Sequence, residues 1–255
     1  MMKLQKHSVF SFLVLLWFVA SSLVNVLFPK EIYPSYGLQA TLYPNDVINL
    51  FLGVVALLLC TLKAARKSRL FLPFRSAMLL FILYNAIVSV YANTNGMDIM
   101  LLLLAIAAVL TLVEAAEYQK LLEMELSPTN DRRYASILIV FALIFILRAV
   151  LQLFNKDTTA TQRGVSLADI LLCSLWLANG IGFLRNPKRC FLPAFISYIH
   201  GSLLFLSLVL YLVVQPLLLD TPFQVVDFVV ISGMSLACFL PMILLGKQIH
   251  NRPKV

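Results

Sequence analysis

Charge is what this sequence has least of. Lysine, arginine, aspartate and glutamate together make up 13% of its 255 residues, about half the share found in a soluble domain. Apolar residues reach 61% and the mean hydropathy is +0.91. A soluble domain of this length cannot hide that much apolar surface. Short alternating strands are also missing, which argues against a transmembrane barrel. No H-E-x-x-H, no G-x-S-x-G, no glycine-rich phosphate loop and no magnesium-binding acid cluster is present. An intramembrane enzyme needs a convergent acid, base or nucleophile, and none is displayed. Cys60, Cys173, Cys190 and Cys238 form no C-x-x-C pair; they read as small buried hydrophobes, not as a redox couple or a metal site. No cofactor is expected. His200 is the one histidine within an apolar run, His7 and His250 lie in the termini, and a bis-histidine haem would lack its second ligand.

What is there is a series of apolar runs separated by charged segments. Eight are counted, at about 9–28, 46–64, 76–93, 98–117, 135–154, 169–185, 192–216 and 227–246. A helix of about twenty residues is about 30 Å long, enough to cross the hydrocarbon core. The expected fold is therefore all-α: a polytopic bundle of eight spans in a cell membrane. The first run follows Lys3 and Lys6 but exceeds the 7–15 residues usual for a signal peptide, so it reads as a retained span.

The basic residues predict the orientation. With the N-terminus in the cytoplasm, sixteen of the twenty lysines and arginines fall on inner segments. Only Lys30, Lys156 and Arg163 fall on outer ones, and Arg148 lies within a span. Both termini are then cytoplasmic. The net charge of +8 reads as a topology signal with attraction to anionic headgroups, not as a nucleic-acid surface.

An internal repeat is also legible. "LFPKE" at Leu27–Glu31 returns as "LFNKD" at Leu153–Asp157, an offset of 126. Asp46 and Asp169 open the second and sixth runs at an offset of 123. "FLP" recurs at Phe71–Pro73 and Phe191–Pro193, offset 120, and Asp98 and Asp227 open the fourth and eighth runs, offset 129. Four anchors in one order predict a tandem 4+4 repeat, with halves at 1–126 and 127–255. An even number of spans per unit makes the repeat parallel, about an axis along the membrane normal. The segment 114–134 would connect the halves.

Polar residues inside the spans are the candidate site. Each of the four aspartates stands where a helix starts from the outer face, so the plain expectation is capping; the sharper one is an acidic outer vestibule. Arg148 sits about 10 Å inside the fifth span, where it must snorkel, pair with Asp169 or Asp46, or hold an anionic headgroup. Asn85, Asn179 and His200 come out near mid-membrane, where such groups usually bond between helices. Tyr33, Tyr36 and Tyr43, in the first outer loop, suit the interface. The candidate ligand-binding set is Arg148, His200, Asn85, Asn179, Asp46 and Asp169.

The stretch "YPNDVINLFLGVVALLLCTLKAARKSRLFLPFRSAMLLFILYN" and the later "SLADILLCSLWLANGIGFLRNPKRCFLPAF" resemble a family of uncharacterised prokaryotic integral membrane proteins. That family has a polar-Asp-aliphatic span start, a short basic loop and a Leu-Leu-Tyr-Asn-like core, here ending in Leu83, Tyr84 and Asn85. Pro44-Asn45 stands where Gly-Gln is expected, and Cys190-Phe191 where Gly-Tyr is common. The resemblance implies a multi-pass protein of a prokaryotic plasma membrane and carries no activity. Two functions fit the sequence best, with an intramembrane enzyme ranked below both: a non-enzymatic protein that binds or moves a small molecule or lipid between its halves, or an accessory subunit for another membrane protein. The first requires Arg148, Asn179, His200 and Asn85 to converge. Its expected partners are membrane lipids and that ligand, the second's a membrane protein, and no nucleic acid in either.

Overall fold

The computed structural model describes residues 2–62, 70–93, 96–113 and 132–250. Nine helices and no strand occur among them: α1 Met2–Leu27, α2 Pro29–Ile32, α3 Tyr36–Thr61, α4 Phe71–Ala92, α5 Gly96–Val113, α6 Arg132–Phe154, α7 Ala160–Arg185, α8 Pro187–Leu219 and α9 Val225–His250. Seven of them (α1, α3, α4 and α6–α9) contain an apolar window long enough to cross a membrane. The chain is a multi-pass membrane protein. The fourth expected run, 98–117, corresponds to α5, whose 18 residues fall below the length of the other seven. The end of that run, Glu114 and most of the 114–134 connector lie outside the described residues, as does the basic loop 63–69.

The helices start earlier than their apolar runs. Asp46 and Asp169 were expected at helix N-termini, but α3 begins at Tyr36 and α7 at Ala160. The caps are other residues. Ser35 accepts from the Leu38 amide, and Thr159 exchanges bonds with Gln162 in a capping box. Both aspartates therefore sit between two and three turns inside a helix, where capping cannot be their role. Asp98 and Asp227 do lie in the first turns of α5 and α9, as expected. The misplacement has a simple cause: the polar first turns "YGLQATLYPN" and "ATQRGVSLA" extend the helices beyond what hydropathy marks.

Packing places α4 and α8 at the centre. In the first half α1 packs on α3 and α5, and α4 on α5; in the second, α6 packs on α7, and α8 on α7 and α9. The halves meet where α4 touches α7 and α8, and where α3 touches α8. Most of α4 is buried, from Leu72 to Val88. At Gly164 an added Cβ would lie 3.0 Å from Tyr91 Cβ and 3.1 Å from the Val88 carbonyl, so glycine lets α7 approach the α4 backbone. Gly180 does the same against α6, where Ile139 Cγ1 would stand 2.8 Å from a Cβ. By contrast α6 and α9 carry exposed apolar rows, Leu143, Ile144, Leu147 and Leu151 on the first and Val226, Val229, Val230 and Leu240 on the second. Those are the faces a bilayer would cover.

Candidate functional site

A cavity of about 320 Å³ opens between the halves, at the end where α4 and α6 finish and α3 and α7 begin. Its walls follow helical periodicity. From α7 come Thr161, Val165, Asp169, Cys173 and Trp176, a stripe at spacings of four and three. From α4 come Phe81, Tyr84, Asn85 and Val88, and α8 closes it with Leu204, Leu208 and Tyr211. α3 adds Thr41, Leu42 and Asn45, and α6 adds Phe145 and Arg148. The lining is aromatic and aliphatic with a few convergent polar groups, the composition typical of small-molecule sites.

The strongest polar feature is an ion pair. Arg148 Nη2 donates to Asp169 Oδ2 at 2.5 Å, and the Tyr84 hydroxyl donates to Asp169 Oδ1 at 3.1 Å. Three helices, α6, α7 and α4, are thereby tied together, the last belonging to the other half. The partners are unequal in exposure: the Asp169 side chain is 7% accessible and that of Arg148 51%. Beneath the guanidinium, the Phe145 ring centroid lies 5.1 Å away, within cation–π range.

Two asparagines, Asn45 and Asn85, also line the cavity. Asn45 and Asn49 each donate to Asn85 Oδ1 at 3.2 Å, and Asn85 in turn donates to the Phe81 carbonyl at 2.9 Å. This cluster joins α3 to α4, whose direct contact is otherwise slight.

Of the six sequence-predicted residues, Arg148, Asp169 and Asn85 line the cavity. The other three do not. His200 is fully buried behind Trp176, accepting its indole N–H at Nδ1 over 3.0 Å. Acceptance at Nδ1 places the neutral ring's proton on Nε2. Asn179 lies ten residues below Asp169, about 15 Å along α7, and donates to the Pro193 carbonyl and Ser197 Oγ of α8. Both are the interhelical bonds that mid-span polar residues make, so the fourfold convergence that the ligand-binding reading required is not met: of the four only Arg148 and Asn85 reach the cavity, where Asp169 joins them. Asp46 is buried in a separate place: the Tyr33 hydroxyl donates to it, and Asn25 of α1 bonds it as well. Tyr33 is thus not an interfacial residue. It is 5% exposed, whereas Tyr36 beside it is 72% exposed. Burial, and then the Asp46 carboxyl, push the Tyr33 phenol above its usual range.

Sequence reasoning missed Asn45, Tyr84, Phe145, Trp176, Phe205 and Tyr211. The available signal was facial: Asp169, Cys173 and Trp176 share one side of α7, and Phe81, Tyr84, Asn85 and Val88 one side of α4.

A second cavity, of about 310 Å³, lies near the opposite end and is lined, among the described residues, by α1, α3 and α4, including Ser11, Ala56 and the buried Arg75. It belongs to one half. No ion-binding group of three or more His, Cys, Asp or Glu occurs among the described residues. No protein-family model, curated protein or solved structure matches the chain.

Proposed function

We propose that this multi-pass protein binds a small molecule or lipid in the cavity between two four-helix halves, as a carrier or receptor and not as an enzyme. The single observation that carries the reading is the Arg148–Asp169 pair facing an aromatic cavity built from both halves. A charged pair inside a membrane bundle is costly and usually marks a ligand or ion path. An accessory subunit would need no such cavity.

The tandem repeat read from the sequence would suit the same picture, and the packing matches it in part: α1·α3 answers to α6·α7, α4·α5 to α8·α9 and α4·α7 to α8·α3. The α1·α5 contact, however, has no equal between α6 and α9, and that of α7 with α8 only a slight one between α3 and α4. Two parallel halves related in this way bind ligands at their interface in other transporter folds. Taking the basic segments as cytoplasmic puts both termini inside and opens the cavity toward the outer face.

The test is retention. The full chain, released from lipid nanodiscs into a mass spectrometer, should carry a stoichiometric small molecule or lipid. Tyr84→Phe with Asn85→Leu should reduce that occupancy, and His200→Gln should affect it less, through Trp176 alone. A bare mass for the unmodified protein under gentle release would contradict the reading.

A further inference from the structure

Resting on that binding-site reading, we infer that the ligand is an organic anion with an apolar body, its carboxylate or phosphate held by Arg148. The assignment follows from counting which hydrogen-bonding groups in the cavity are already used. Asp169 is the obvious seat for a cation, yet Oδ2 already accepts from Arg148 and Oδ1 from Tyr84, which uses two of a carboxylate's roughly four acceptor sites. Its side chain is almost fully enclosed, and a cationic ligand would meet the guanidinium already beside it. Arg148 is in the reverse position. A guanidinium carries five N–H donors, and one is spent on Asp169. Its side chain is half exposed, and it lines the cavity. An anion can bind there without breaking anything.

The neighbours fit that role. Phe145 supports one face of the guanidinium, and Asp169 anchors Nη2, so the fork is held in place before a ligand arrives. Planar, doubly hydrogen-bonded recognition of carboxylate or phosphate is what arginine does better than lysine. Phe81, Trp176, Phe205 and Leu208 supply apolar walls beyond it. At about 320 Å³ the space is at the small end of ligand sites, suited to one headgroup and a short apolar stretch. Asn45, also in the lining, has an amide N–H and its carbonyl oxygen beyond the one bond it gives Asn85, a match for a hydroxyl or ester on the ligand.

The same chemistry has two sources, the headgroup of an anionic bilayer lipid or a free amphiphilic acid. The chain has two tryptophans, so Trp17→Phe leaves Trp176, in the cavity wall, as the sole fluorescent reporter. In phosphatidylcholine nanodiscs this variant is titrated with octyl phosphate, octanoate, octanol and octylamine. The expected result is saturable quenching or enhancement by the two anions at concentrations about tenfold or more below the other two. Arg148→Gln should abolish that preference, and Arg148→Lys should keep part of it. Native mass spectra from discs with and without phosphatidylglycerol then separate the sources. A retained phosphatidylglycerol displaced by octyl phosphate assigns the bilayer lipid; octyl phosphate binding with no retained lipid assigns the free acid, and either supports the anion. Equal binding of all four probes by the unmodified Arg148 protein overturns the anion assignment while leaving the ligand site standing. An Arg148 that merely snorkels gives that same result. No saturable response to any probe overturns both readings.

Discussion

Asp46 and Asp169 stand 123 residues apart in the sequence, each about two to three turns inside its helix and each 5% exposed. What surrounds them differs. Asp46 is closed off by Tyr33, from the segment between α2 and α3, and by Asn25 of α1. These donors fill the space beside it, with the Asp98 carboxyl also near enough to act on both Asp46 and Tyr33, and the Asp46 carboxyl lines neither cavity. Asp169 meets a cation, Arg148, and a tyrosine from the other half of the chain. A cavity remains in front of it. Counting back from Arg148 by the offset of 126 reaches Ser22, which carries no charge and is buried. One aspartate has become part of a sealed joint and its counterpart part of an open site. The comparison teaches that depth and residue type do not make a site: the partner's charge and the unfilled space beside it do.

The largest effect expected from breaking this contrast is on the ion pair. Asp169→Leu leaves Arg148 without its counter-charge and should destabilise the bundle by about 2–3 kcal/mol, read by unfolding in increasing denaturing detergent. Adding Arg148→Leu should recover most of that loss. Tyr33→Phe against Asp46→Leu in the same type of cycle should behave differently with salt. Coupling at Arg148–Asp169 should weaken as ionic strength rises, because Arg148 is half exposed; that at Tyr33–Asp46 should not. Equal salt dependence at both would remove the distinction between an open and a sealed site.

Overpacking the contact between halves comes next. Gly164→Val puts side-chain atoms against Tyr91 and the Val88 carbonyl, and should cost about 1–3 kcal/mol. A similar Gly→Val change at Gly233, where a Cβ would meet nothing within 4 Å, should be within about 1 kcal/mol of neutral.

The smallest effect is on alkaline stability. Tyr33 is held protonated when folded, whereas in the unfolded chain a tyrosine ionises near its ordinary value of about 10. Its raised folded value means the contribution is intact below pH about 10 and is lost as pH climbs beyond it. Tyr33→Phe should therefore flatten the fall in thermal stability above that pH. An unchanged slope would show that Tyr33 ionises freely in the folded protein.

The all-helical, multi-pass class and seven long apolar helices were legible, because twenty-residue apolar runs and their separating charges are coarse signals; of the eight runs expected, that at 98–117 gave the shorter α5, and which helices pack together was not legible. The site was half legible. Arg148, Asp169 and Asn85 stood out because charged and amide groups are rare in such runs. His200 and Asn179 stood out for the same reason, but rarity does not say which face a residue takes. His200 turns toward Trp176 and Asn179 toward Ser197, where each finds a bond in a tight interface. Helix starts were misjudged at Asp46 and Asp169 because the first turns of α3 and α7 are polar, so hydropathy ends before the helix does. The inward turn of Tyr33 depends on Asp46 thirteen residues later, a pairing that no local pattern encodes.

The most direct measurement of the central claim is native mass spectrometry of the intact chain released from nanodiscs, repeated for Asp46→Asn and for Arg148→Gln. The account predicts a bound ligand whose occupancy falls with the change at Arg148 and persists with the change at Asp46. Loss at Asp46 with retention at Arg148, or no ligand on the unmodified protein, would contradict it.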